Sequence, residues 1–152
     1  MDPIVLDNIP FSPTFDQAAA ETHIRQGSKQ ADMLISLLQE AREIACPKAL
    51  YKVCSIAEKG EETVTLDGIP FHSRVLRVNL DSLHRVFPYL ATCGRELETW
   101  KNAQDDMLVN YYAGVINELA LSAAREYLQI HLEETYALGE TSYMSPGSLA
   151  DW

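Results

Sequence analysis

Cysteine is scarce and unpaired. Cys46, Cys54 and Cys93 are the three present, and no two form a Cys-x-x-Cys spacing, so no disulfide framework can be read. The opening "MDPIVLDNIPF" lacks the basic and apolar regions of a signal peptide, and together these point to a reducing, cytoplasmic setting. Positive charge is also in short supply: 12 Lys and Arg against 22 Asp and Glu give a net charge of -10. Such a field repels a phosphate backbone and argues against nucleic acid as a partner, while favouring cationic faces or ligands. The longest apolar-leaning stretch, residues 107–124, is interrupted by Asn110, Asn117 and Glu118. Each is costly in hydrocarbon, so a buried helix is expected there and no membrane span. Absent too are a phosphate-loop Gly-Lys-Ser/Thr pattern, His-Glu-x-x-His, Gly-x-Ser-x-Gly and a dinucleotide fingerprint, which removes the usual local signatures of catalysis.

What is present is the composition of a folding chain. Of its 152 residues, 47% are hydrophobic and 22% charged, enough to bury a core without staples. Residues 1–27, with Pro3, Pro10 and Pro13 among isolated apolar residues, read as an extended arm with one short helix over 15–24 and no part in the core. Residues 28–152 read as a single α+β domain. In it, Leu34, Leu37, Leu38, Ala41 and Ile44 recur at helical spacing and predict an amphipathic helix over 28–45, stopped by Pro47.

From Lys48 the period changes. "KALYKVCSI" alternates as one strand, with Leu50, Lys52, Cys54 and Ile56 opposite Tyr51, Val53 and Ser55. Thr63 to Leu66, the Asp67-Gly68 turn, and a second strand over 69–78 predict a hairpin. Connections this short require antiparallel pairing. Asn79 is expected to cap a helix carrying Leu80, Leu83 and Val86, "PYLATCG" to return as a strand, and "RELETW" to form a short helix after Gly94. Asp105 and Asp106 open a long final helix, where the macrodipole favours negative charge, and Leu138-Gly139 is expected to end it. Helices packed on a mainly antiparallel sheet make an α+β fold.

Few side chains stand out for chemistry. His23, His72, His84 and His131 are spread one per element, as surface or satisfied core histidines usually are. Cys54 lies in a strand pattern and reads as core. Cys93 is the sharper thiol, since "TCGRE" places it near a helix start beside Arg95, which favours thiolate, but with no histidine partner assignable a structural role comes before a reactive one. Asn110 and Asn117 lie two turns apart on the last helix, as a polar pair or as solvated positions. The closing "SYMSPGSLADW" is different in kind: Pro146 fixes one φ and Gly147 permits a positive one. The backbone can therefore turn sharply and offer its amides to a ligand with no Cβ in the way.

In "DDMLVNYYAGVINELALSAAREYLQIHLEE", followed after a spacer by "SYMSPGSLADW" and preceded by "LATCGRELETW", the chain resembles the activation domain of cobalamin-dependent methionine synthase. It is most similar to shorter stand-alone relatives of corrinoid-using anaerobes. The resemblance implies an α+β domain with a twisted antiparallel sheet that binds S-adenosylmethionine in a shallow groove. It also implies docking on a corrinoid protein or methyltransferase subunit whose cobalamin is remethylated after reduction. Such a module positions two cofactors and needs no catalytic constellation of its own. Pro146 and Gly147 match the family loop and Ser145 accompanies them. Tyr143 and Ser148 stand where the family has an arginine and a tyrosine, so the expected cofactor-binding set is Tyr143, Ser145, Pro146, Gly147 and Ser148. A tyrosine hydroxyl in place of an arginine weakens the grip on an amino-acid carboxylate. Relatives continue past the loop with a helix and further strands, so the resemblance casts this chain as a C-terminally shortened member. An unpaired sheet edge in it is a candidate surface for homodimers. The alternatives are an interaction domain that docks on a corrinoid protein without an adenosyl site, and a cysteine-dependent enzyme using Cys93.

Overall fold

In a computed structural model, which describes residues 2–147, 150 and 151, the chain is α+β. In order it forms β1 (Ile4–Leu6), α1 (Phe15–Thr22), α2 (Lys29–Ile44), β2 (Lys48–Tyr51), β3 (Cys54–Lys59) and β4 (Thr63–Leu66). There follow β5 (Ile69–His72), α3 (Arg74–Asn79), β6 (Arg85–Val86), β7 (Tyr89–Thr92), α4 (Arg95–Asn102) and α5 (Met107–Tyr136). One sheet has the order β1-β2-β7 and the other β5-β4-β3-β6. No helix among the described residues is long and apolar enough to cross a membrane.

The chain divides into two compact units. One is helical, Val5–Leu50 with Leu90–Ala137; the other comprises Tyr51–Tyr89 with the described residues before Val5 and after Ala137. In the helical unit the core is Ala18, Leu34, Leu37, Leu38, Ala41, Leu97, Tyr112, Ile116 and Ala120. The N-terminal segment, expected as an arm outside the core, supplies part of this. Thr14 and Gln17 form a capping box, with the Gln17 amide donating to Thr14 Oγ1 at 3.2 Å and the Thr14 amide donating to Gln17 Oε1 at 2.8 Å. That box starts α1, whose Ala18 is fully buried, with Phe11 and Phe15 packed beside it. The prolines here delimit the helix and do not prevent it.

α2 keeps its expected bounds because Ser28 caps it, its hydroxyl accepting from the Ala31 amide at 3.2 Å. Gly94 has φ 95° and a Cβ there would stand 2.5 Å from the Cys46 carbonyl oxygen. Only glycine fits this close approach between the end of β7 and the start of α4. Asp106 caps α5, its carboxylate accepting from the Leu108 and Val109 amides at 2.9 and 3.0 Å. α5 ends before the expected Leu138-Gly139 stop: Ala137 takes the left-handed conformation at φ 48° and its amide bonds the Glu133 carbonyl.

In the sheet unit, β3 pairs antiparallel with β4 and β6, and β4 with β5. The β4–β5 register, Thr63 to His72 through Leu66 to Ile69, is closed by Asp67 and Gly68 at φ 51° and 78°, both positive as a primed two-residue turn demands. The single strand expected over 48–56 is broken into β2 and β3, which belong to different sheets; Ala49, Tyr51 and Cys54 are its buried residues. The strand expected over 69–78 stops at His72. Buried Ser73 accepts from the Leu76 amide at 3.0 Å and starts α3, whose Leu76 buries with Leu80, Val64 and Leu66 while Val78 stays 63% exposed. Asn79 consequently ends a helix where it was expected to cap the next one.

Candidate functional site

Beyond α5 the chain enters the sheet unit through an irregular, mostly exposed segment in which Leu138 and Met144 are partly buried. Met144 packs against the cluster of Val64, Leu66, Leu76 and Leu80, and the Asn79 side-chain amide donates to its sulfur at 3.1 Å. Thioether sulfur is polarisable and the side chain flexible, which suits it to an irregular gap of this kind. Past the bend, the Asp151 carboxylate accepts from the Val75 amide at 3.2 Å and from Ser73 Oγ at 3.4 Å. Ser73 is 3% exposed. Its hydroxyl thus joins the first turn of α3 to the tail, and the amides left open by the helix start find partners.

Between these two attachments the bend itself is exposed. Pro146 and Gly147 occupy its turn, and Gly147 has φ 82°, the combination a type II turn takes at its central positions. Nothing lies within 4 Å of where a Gly147 Cβ would be, so this main chain faces open space. Tyr143 is 71% exposed and Ser145 is also at the surface. Of the five residues expected to bind an adenosyl ligand, Tyr143, Ser145, Pro146 and Gly147 therefore share one surface segment, and Ser148 lies outside the described residues. The anchors Met144 and Asp151 carry no local sequence signal that sets them apart from the other residues of the tail. Their partners lie more than sixty positions away in the chain.

Two shallow concavities occur in the helical unit, of about 530 and 460 Å³, and the bend lines neither. The larger is bordered by Lys101, Tyr111, Gly114, Val115 and Glu118. The smaller is bordered by Ile44, Arg95, Glu96, Thr99 and Trp100.

Cys93 does not have the character expected of a reactive thiol. It is half-buried, and burial, followed by the negative charge of Glu98 and then of Glu118 and Glu96, pushes its pKa up. Burial and these acidic neighbours keep the thiol protonated at neutral pH. Cys54 is buried in β3, as expected. The two asparagines join α4 to α5. Asn110 donates to the Lys101 carbonyl at 2.9 Å, and Asn117, 6% exposed, donates to Glu98 Oε2 at 3.2 Å and the Leu97 carbonyl at 3.5 Å. No group of three or more potential metal ligands occurs among the described residues. No family model matches the chain, and no curated protein matches it.

Proposed function

We propose that this chain is an S-adenosylmethionine-binding module of a corrinoid methyl-transfer system, which docks on a separate cobalamin-carrying protein and supports methyl transfer or reductive reactivation of its corrinoid. One observation carries the ligand part of this reading: the 145–147 bend is exposed main chain held on both sides, by Met144 in an apolar cluster and by Asp151 on the first turn of α3. Backbone fixed in this way presents the Gly147 main chain, which faces open space, without a large ordering cost when a nucleoside-sized ligand arrives. The Tyr143 hydroxyl and the main chain suit the adenosyl part, and a net charge of -10 favours a sulfonium cation. No arginine or lysine occurs in residues 138–152 to clasp the ligand carboxylate, so affinity is weak. When bound, the ligand supplies a methyl group to the partner's corrinoid; the chain's own part is to hold and orient it.

A second reading, a domain that docks on the corrinoid protein without any adenosyl ligand, is favoured by the bend residues lining neither concavity. Calorimetry separates the two. The first reading expects saturable heat with S-adenosylmethionine below millimolar concentration, reduced by Gly147→Val. A folded sample giving no heat at millimolar ligand, yet retaining a purified corrinoid protein on a column, establishes the second.

A further inference from the structure

The larger concavity of the helical unit contains a glycine that its own fold does not require. Gly114 sits inside the 30-residue helix α5 with a helical φ, where glycine is less stable than alanine by about 0.5–1 kcal/mol. A Cβ at this position would meet only the Lys101 side chain, at 3.5 Å, an ordinary contact with a flexible stem. The missing side chain leaves a notch on an apolar stripe. Met107 is 88% exposed and Tyr111 52% exposed, and Val115 borders the same hollow. Two opposite charges border it as well, Lys101 and Glu118, and neither is in an ion pair among the described residues.

We propose that this stripe is the interface of a two-fold symmetric homodimer, in which α5 packs antiparallel on α5 of a second copy. A two-fold interface must be complementary to itself, and this stripe is. With the axis between Gly114 and Val115, Val115 of each copy enters the Gly114 notch of the other. Tyr111 then stands opposite Glu118, and Met107 opposite Ser122, a small exposed side chain. The same operation sets each Glu118 three residues, about 4.5 Å along the axis at 1.5 Å per residue, from the level of the other copy's Lys101, whose flexible stem lies beside Gly114 and can span that offset, giving two symmetry-related ion pairs. The pairing runs along about 22 Å of helix at 1.5 Å per residue, consistent with a shallow crossing angle. Charge selects a second copy over a uniformly basic partner, because the patch offers one cation for each anion.

Sedimentation equilibrium of the full chain at physiological ionic strength tests this, since salt there screens the long-range repulsion of two acidic chains. A monomer–dimer equilibrium is expected. Lys101→Glu and Glu118→Lys are each expected to weaken the dimer at least tenfold, and combining them to restore it. Gly114→Ala is expected to weaken the dimer while leaving Tm unchanged or raised, which separates a filled notch from a damaged fold. A chain that stays monomeric at every concentration overturns the proposal, as does a dimer indifferent to all three changes, or charge reversals whose combination is no better than either alone.

Discussion

Among the described residues, the two units differ in the size of their hydrophobic clusters. The helical unit has nine buried residues in one cluster drawn from α1, α2, α4 and α5, whereas the sheet unit's cluster has four, Val64, Leu66, Leu76 and Leu80, with Met144 laid against them. Because local stability follows buried apolar contact, the first unit should open only with global unfolding and the second at lower cost. The candidate ligand segment belongs to the thin one. Ligand loops are commonly drawn from the less stable part of a fold, and here Met144 and Asp151 hold the bend in place within it.

Ile116→Ala, at a fully buried position of α5, should break the comparison from its strong side. A loss of about 2–5 kcal/mol is expected, with both units melting together in a urea titration. Gly94→Ala comes next, at about 1–3 kcal/mol from positive φ alone, and more from overlap with the Cys46 carbonyl. Met144→Ala should sharpen the contrast. Truncating this half-buried side chain is expected to cost about 1 kcal/mol, with hydrogen exchange accelerating at residues 143–147 and at the Val75 amide while α5 is unaffected. The smallest effect is expected from acid acting on two pairs of the sheet unit. Asp67 is held below the usual carboxylate range by its hydrogen bond from Lys52, and Asp81 by its hydrogen bond from Arg77. For a depressed carboxylate, the stabilisation is complete above the unfolded value near 3.9 and is lost as pH falls through the lower folded value. Both pairs are at the surface, so high salt should shrink this pH dependence of the urea midpoint.

Much of the fold was legible because local signals agreed with the tertiary result. Ser28 both reads as a cap and is one, the Asp67-Gly68 turn has the φ values its sequence demands, and the acidic start of α5 is where Asp106 caps it. Reading failed where a distant contact decided. Val75 and Val78 favour a strand by propensity, but capping by buried Ser73 and the burial of Leu76 make the segment a helix. The strand over 48–56 breaks near Lys52, whose amide bonds the Pro88 carbonyl at 3.0 Å, a partner no local pattern identifies. Cys93 shows the same limit in its chemistry: Arg95 is its neighbour in sequence, while Glu98 and Glu118 set its charge environment. The bend itself was visible from Pro146 and Gly147, but its two anchors were not.

The central claim, that the bend is a ligand-binding segment, is tested most directly by titrating isotope-labelled chain with S-adenosylmethionine and following each amide by nuclear magnetic resonance. The account predicts saturable shifts centred on Tyr143, Ser145 and Gly147, with Val75 responding through Asp151. Shifts confined to the helical unit, around Lys101 and Tyr111, or no shifts at millimolar ligand, would contradict it.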